Sequence, residues 1–182
     1  VLDGLFAVIE RLFEVKIHAR DGVALWHPDA RYYDILDAAG TPIGGFFLDP
    51  YARPNKRSGA WMDECVGRKD LPGGSALPVA HLVCNFLPPA GERPALLTHD
   101  DVVTLFHEFG HGLHQMLTRV GYPSIAGING VAWDAVELPS QFMENWCWEP
   151  EALAFITGHV ETGEPLPQDL LNKMLNAKHF QS

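Results

Sequence analysis

In the stretch "THDDVVTLFHEFGHGLHQML" (Thr98 to Leu117), His107, Glu108 and His111 have the residue types and the spacing for metal chemistry. Residues four positions apart lie one turn apart on one face of a helix. Two imidazoles placed in that way can both reach one tetrahedral Zn²⁺ at about 2.0–2.1 Å. Glu108 lies roughly 100° round the helix axis from His107. It does not bind the metal. It is placed to take a proton from a metal-bound water as that water attacks a carbonyl. This is the His-Glu-x-x-His pattern. With 9 histidines in the chain, a chance occurrence has a probability on the order of a few per cent, so the setting must add weight. The flanks "VVTLF" and "GLHQML" are apolar, which predicts a largely buried helix. Burying ionisable groups is costly unless something compensates. Gly110 costs about 1 kcal/mol in a helix interior relative to alanine. A close approach by metal, substrate or backbone would account for it.

His114 falls on the same face but sits two turns from His107, about 10 Å along the axis. That is too far for it to join the other two on one ion. An extended motif with a third histidine ten residues after the first finds Leu117 there. His114 is read as a packing residue or as a support for the ligands. A catalytic zinc commonly takes three protein ligands and keeps one position for water. The third ligand is sought in "WDAVELPSQFMENW", where Glu137 begins a second helix after a loop long enough to turn the chain back. Glu137 is the expected ligand. Asp134, one turn earlier, and Glu144, two turns later, are candidates to orient the histidines. Glu144 reads equally well as a surface charge.

These residues need elements to hold them. Leu2, Leu5, Phe6, Ile9, Leu12 and Phe13 form the stripe of an amphipathic helix. "VKIHAR" reads as a strand, and "RYYDILDAAGTPIGGFFLD" as a hairpin with an irregular loop. "RPNKRSGAW" reads as a polar connection and "GRKDLPGGSALP" as a loop. "VAHLVCNFL" is a further strand and is read as the sheet edge that borders the cleft, where an extended substrate would pair. The motif helix is expected from about His99 to Thr118, with Thr98 as N-cap and Asp101 completing a capping box. "GYPSIAGINGVAWD" is loop. "AVELPSQFMENWCWEPEALAFITGH" resumes helix with Pro139 in its first turn, and "PLPQDLLNKMLNAKHFQ" begins another. The expected class is α+β, mainly helical, with the motif helix and a second ligand-bearing helix beside a small sheet.

Composition bounds the reading. The chain has 182 residues, 47% of them hydrophobic, enough for one domain with a real core. A net charge of −10 argues against nucleic-acid or anionic-membrane partners. No uninterrupted apolar run of about 18 residues is present, and the start lacks the basic segment of a signal peptide. Three cysteines without a Cys-x-x-Cys pair argue against a disulfide framework and favour a reducing, cytosolic setting. The chain opens at Val1 and stops inside helical patterns, so a longer parent is expected.

The blocks "LFHEFGHGLHQML", "GVAWDAVELPSQFMENWCWEPEAL" and "ITGHVETGEPLP", with "WHPDARYYDILDAAGTPIGGFFLDPYARPNKRSGAWMDECVG" before them, resemble the thimet-oligopeptidase family of zinc peptidases over essentially the whole chain. The resemblance implies one zinc held by His107, His111 and Glu137, with Glu108 as general base. It implies a mostly helical protein with a small sheet beside a deep channel that admits short peptides. It also implies a cytoplasmic role in clearing oligopeptides. Residues 1–182 would be part of the catalytic domain. A preceding helical half, and a following region with the oxyanion-stabilising tyrosines and histidine, would be absent from this chain. Those missing parts of the polypeptide would complete the channel, and the segment alone would be weakly active or inactive. Two rival readings stand beside this one. In a deformylase-like zinc hydrolase, Cys84 upstream would be the third ligand, although the surrounding "LVCNF" lacks that family's cysteine block. The other rival is an inactive metal-binding module, which has no need of Glu108.

Overall fold

The computed structural model describes residues 1–180. Its centre is a five-stranded mixed sheet in the order β1 (Lys16–Ala19), β2 (Arg31–Leu36), β3 (Pro42–Tyr51), β7 (Val79–Phe86) and β4 (Trp61–Val66). β3 and β7 pair in parallel and the other neighbours are antiparallel. β5 (Lys69–Leu71) and β6 (Gly74–Ala76) form a separate small hairpin. Five helices accompany the sheet: α1 (Leu2–Phe13), α2 (His99–Met116), α3 (Leu138–Glu144), α4 (Pro150–Ile156) and α5 (Gln168–Phe180). The class is α+β, as expected, with the hairpin of β2 and β3 in place.

One face of the sheet carries the core. The register sets Phe46 beside Ala80 and Leu48 beside Leu82. α1 adds Leu5, Val8 and Ile9 to the core, and α2 adds Phe106, Phe109 and Leu113. Phe46 and Phe109 meet nearly edge-on with ring centroids 5.0 Å apart. Burying each such large apolar side chain contributes about 1.5–3 kcal/mol, so the motif helix is anchored by its apolar stripe. Its start is fixed locally. Thr98 Oγ1 accepts from the Asp101 N–H at 3.2 Å, and the Asp101 carboxylate accepts from the Thr98 N–H at 2.9 Å. That is the expected capping box, and a cap of this kind contributes about 1 kcal/mol. α3 packs against α2, and α4 packs against α1.

The structure corrects the sequence reading in five places. Residues 61–66 pair with β7 as strand β4, although the stretch lacked a strand signal. Asp63 and Glu64 interrupt its apolar pattern, which suits an edge strand, where charges discourage further pairing. β7 is therefore interior, between β3 and β4, and the edge role expected of it belongs to β4. Along β7, Ala80, Leu82, Cys84 and Phe86 alternate onto the core face, as the period of a strand requires. Within the expected loop of residues 67–78, β5 and β6 pair across Gly73. The single helix expected after Ala135 is broken into α3, a short 3-10 turn at Asn145–Cys147, and α4, which restarts at Pro150. Proline has no N–H for an upstream carbonyl and is favoured in a first turn. α2 ends at Met116, two residues before the expected boundary. The last expected helix is present as α5; Gln181, at the end of that expectation, lies outside the described residues.

Candidate metal centre

α2 sets the His107 and His111 rings 5.0 Å apart, centroid to centroid, at 81° to each other. Glu137 comes from the residue just before α3. Its Oε2 lies 3.3 Å from His107 Nε2 and 3.1 Å from His111 Nε2. Among the described residues these three form the group able to hold a metal ion, with ligand atoms all within 4.8 Å of one another. Two donors bound tetrahedrally at 2.0–2.1 Å stand about 3.3–3.4 Å apart, close to both Nε2–Oε2 separations. Two imidazole nitrogens and one carboxylate oxygen are also a usual donor set for zinc. The residues therefore fit the ion that their spacing predicts.

Gly110 allows this arrangement. A side chain there would overlap the Pro139 carbonyl oxygen and bring a Cβ 2.5 Å from Ser140 Cα. Of the three close approaches considered for Gly110, backbone contact is the one observed. α3 rests directly on α2, and Glu137 is delivered to the histidines as a result. Ser140, fully buried, donates from Oγ to Glu137 Oε2 at 2.7 Å. That bond, reinforced by the two histidines, holds the Glu137 carboxyl below its usual range and outweighs the small effect of burial.

His107 is oriented from behind. Its Nδ1 lies 2.6 Å from Glu144 Oε1. A carboxylate at Nδ1 favours the tautomer with its hydrogen there, the form that offers Nε2 to an ion. Glu144 is thus no free surface charge. Asp134, its companion in the sequence reading, is exposed and makes no hydrogen bond or ion pair among the described residues. His114 stands apart from the trio. It lines an apolar cavity of about 480 Å³ with Phe13, Leu113, Leu138 and Phe142, and its Nδ1 is buried without a partner. Burial lowers the pKa of His114, as it does that of His111.

Glu108 is buried beside the trio and outside it. Burial pushes its carboxyl up. His107 opposes that shift, Glu137 adds to it, and the nearby backbone of Met62 on β4 opposes it. Cys84 lies in the core, outside the metal-holding group, and burial pushes its thiol up to about 12. A thiol so far from ionising is a poor ligand, since the thiolate is the form that binds.

Sequence reasoning missed Ser140 and Met62. A serine three residues after a ligand at a helix start was a readable signal. Met62 acts through its backbone on an unrecognised strand and left none.

Three relatives bear on this arrangement. Oligopeptidase A of Escherichia coli (strain K12) is 59% identical over 182 residues, covering all of this chain and 27% of the relative. Dipeptidyl carboxypeptidase of the same organism is 40% identical over 178 residues, 98% of this chain and 26% of the relative. Thimet-like oligopeptidase of Dictyostelium discoideum is 38% identical over 185 residues, 99% of this chain and 27% of the relative. The chain thus spans about a quarter of the length of these relatives. The resemblance read from its motif blocks is borne out along its full extent. The model of peptidase family M3 matches residues 1–182, and the chain belongs to that family.

Proposed function

We propose that this chain is the metal-binding core of a zinc-dependent endopeptidase that hydrolyses short oligopeptides in the cytoplasm. The observation that carries the reading is the meeting of His107 Nε2, His111 Nε2 and Glu137 Oε2 beside a buried carboxylate that stands outside the trio. One zinc would be held by those three residues. When bound, it acidifies a water molecule and polarises a carbonyl. Glu108 accepts the proton of the attacking water at its carboxylate and hands it to the departing amine. Its raised proton affinity moves it toward the range where both transfers are efficient. Glu144 holds His107 in the tautomer that offers Nε2. An extended peptide would lie along β4, the edge strand next to Glu108, in place of the role first given to β7.

Glu108 also argues against an inactive metal-binding module, which has no use for a buried carboxylate of raised proton affinity. The deformylase-like alternative lacks its thiolate ligand. No helix among the described residues is long and apolar enough to cross a membrane. The names of the oligopeptidase relatives support a peptide substrate. The oxyanion donors are expected in parts of the parent polypeptide beyond this segment. Loss of one such donor typically costs about 10²–10³ in rate, so the 182 residues alone should cleave slowly.

The test compares wild type with Glu108→Gln for zinc content and for cleavage of a quenched fluorescent peptide, in the longest form of the enzyme that carries this segment. Glu108→Gln should keep one zinc and lose about 10²–10⁴ in turnover. Near-normal cleavage in that variant sinks the general-base role.

A further inference from the structure

Ser140 is fully buried near the start of α3, and its hydroxyl carries a single hydrogen. Two acceptors stand within its reach, the Glu137 carbonyl oxygen at 2.9 Å and Glu137 Oε2 at 2.7 Å. A serine inside a helix ordinarily gives its hydrogen to a carbonyl of the preceding turn. Here that carbonyl is already served, since it accepts from the Gln141 N–H at 2.9 Å. The carboxylate is the nearer acceptor, and a bond to a charged oxygen is the stronger one. The hydrogen therefore goes to Oε2.

Oε2 is the oxygen that faces both histidines, 3.1 Å from His111 Nε2 and 3.3 Å from His107 Nε2. The Glu137 side chain is otherwise open to solvent, with 48% of its surface exposed. A glutamate with that freedom populates several rotamers in water, and holding one of them costs rotamer entropy. Ser140 removes that freedom. It is itself held by packing, because its Cα lies only 2.5 Å from where a Cβ on Gly110 would stand. The path from α2 through Gly110 and Ser140 to Oε2 is thus short and made of fixed parts. Glu144 acts from the other end of α3 and holds His107 directly. α3 therefore supports the carboxylate ligand and the histidine through separate contacts.

We propose that Ser140 is a positioning residue for the metal centre: its hydroxyl holds the exposed Glu137 carboxylate with one oxygen toward both histidines before an ion arrives. A preorganised ligand loses less freedom on binding and holds the ion more tightly. This rests on the reading of Glu137 as a metal ligand, and its test does not depend on turnover.

The experiment is a double-mutant cycle on zinc affinity, measured by competition with a chelator in the longest form of the enzyme that carries this segment. Ser140→Ala removes the hydroxyl and adds no bulk. Affinity for zinc should fall by at least about tenfold, the usual cost of losing such a partner. In a Glu137→Ala background, Ser140→Ala should change affinity by less than about twofold, because the carboxylate it serves is gone. A residue that merely supported α3 would behave differently. Loosening α3 would loosen Glu144 as well and weaken zinc binding in both backgrounds. Equal losses in the two backgrounds therefore overturn the proposal, and so does unchanged affinity in Ser140→Ala alone. Should Glu137→Ala itself leave zinc affinity unchanged, the ligand reading fails and the proposal falls with it. A loss in Glu137→Ala without one in Ser140→Ala leaves the ligand standing and removes only the positioning role.

Discussion

Two buried carboxylates on opposite sides of the sheet show how the donors around a buried charge set its proton affinity. Asp49 on β3 is 2% exposed and Glu108 on α2 is 8% exposed. Asp49 is saturated. Arg53 bonds both its oxygens at 2.7 and 2.8 Å, Lys56 Nζ lies 2.9 Å from Oδ1, and Trp26 Nε1 donates at 2.9 Å to Oδ2. Burial pushes its carboxyl up, and these bonds outweigh that effect and hold it well below the usual range. Glu108 has no hydrogen-bonding cation of this kind among the described residues, and burial pushes its carboxyl up. Similar burial has produced opposite proton affinities. The deciding variable is how many donors the fold supplies, and the under-supplied carboxylate is the one beside the metal-holding group.

The comparison can be broken at either end. Asp49→Ala has the largest expected effect on stability. It leaves Lys56 buried and Arg53 without a counter-charge, and breaking a pair of this kind costs about 3–5 kcal/mol. Urea unfolding should show that loss, while zinc titration of the folded fraction should be unchanged. Glu108→Gln should shift unfolding by less than about 1 kcal/mol, since its loss falls on turnover. The sign with pH follows from the depressed Asp49 pKa. Its contribution is present above the unfolded value and is lost as pH falls through the acid range below about 4. Asp49→Asn should flatten the stability profile there, and an equally steep acid loss in that variant would show that the cluster does not hold the charge.

Gly110→Ala comes next. Alanine would gain about 1 kcal/mol of helix propensity, but its Cβ collides with α3. Overpacking of that kind costs about 1–3 kcal/mol. The net result should be a loss of stability together with at least about tenfold weaker zinc binding, because Glu137 moves with α3. Competition with a chelator measures the second effect. Stabilisation with unchanged zinc affinity would refute the contact between the two helices.

Glu144→Gln is the mildest. It keeps the shape and removes the charge that orients His107. Zinc affinity should fall by about 10-fold, with unfolding of the metal-free protein nearly unchanged. The same substitution at Asp134 should do nothing, because Asp134 has no partner to lose among the described residues.

His107, Glu108 and His111 were legible because helical periodicity is local. Once "VVTLF" and "GLHQML" require a buried helix, residues four apart must share a face. Thr98 and Asp101 were legible for the same reason, as a cap involves neighbours only. Glu137 followed from the need for a third ligand and from a loop long enough to return the chain. What the sequence alone determined, then, was which histidines share a face of the motif helix and which distant carboxylate joins them in a group able to hold a metal ion. Only the tertiary structure decided that Gly110 admits α3, that Glu144 rather than Asp134 reaches His107, and that β4 rather than β7 is the edge. Each of those outcomes depends on which surfaces dock. Docking is settled by many weak contacts summed over residues far apart in the chain, and no short spacing encodes that sum.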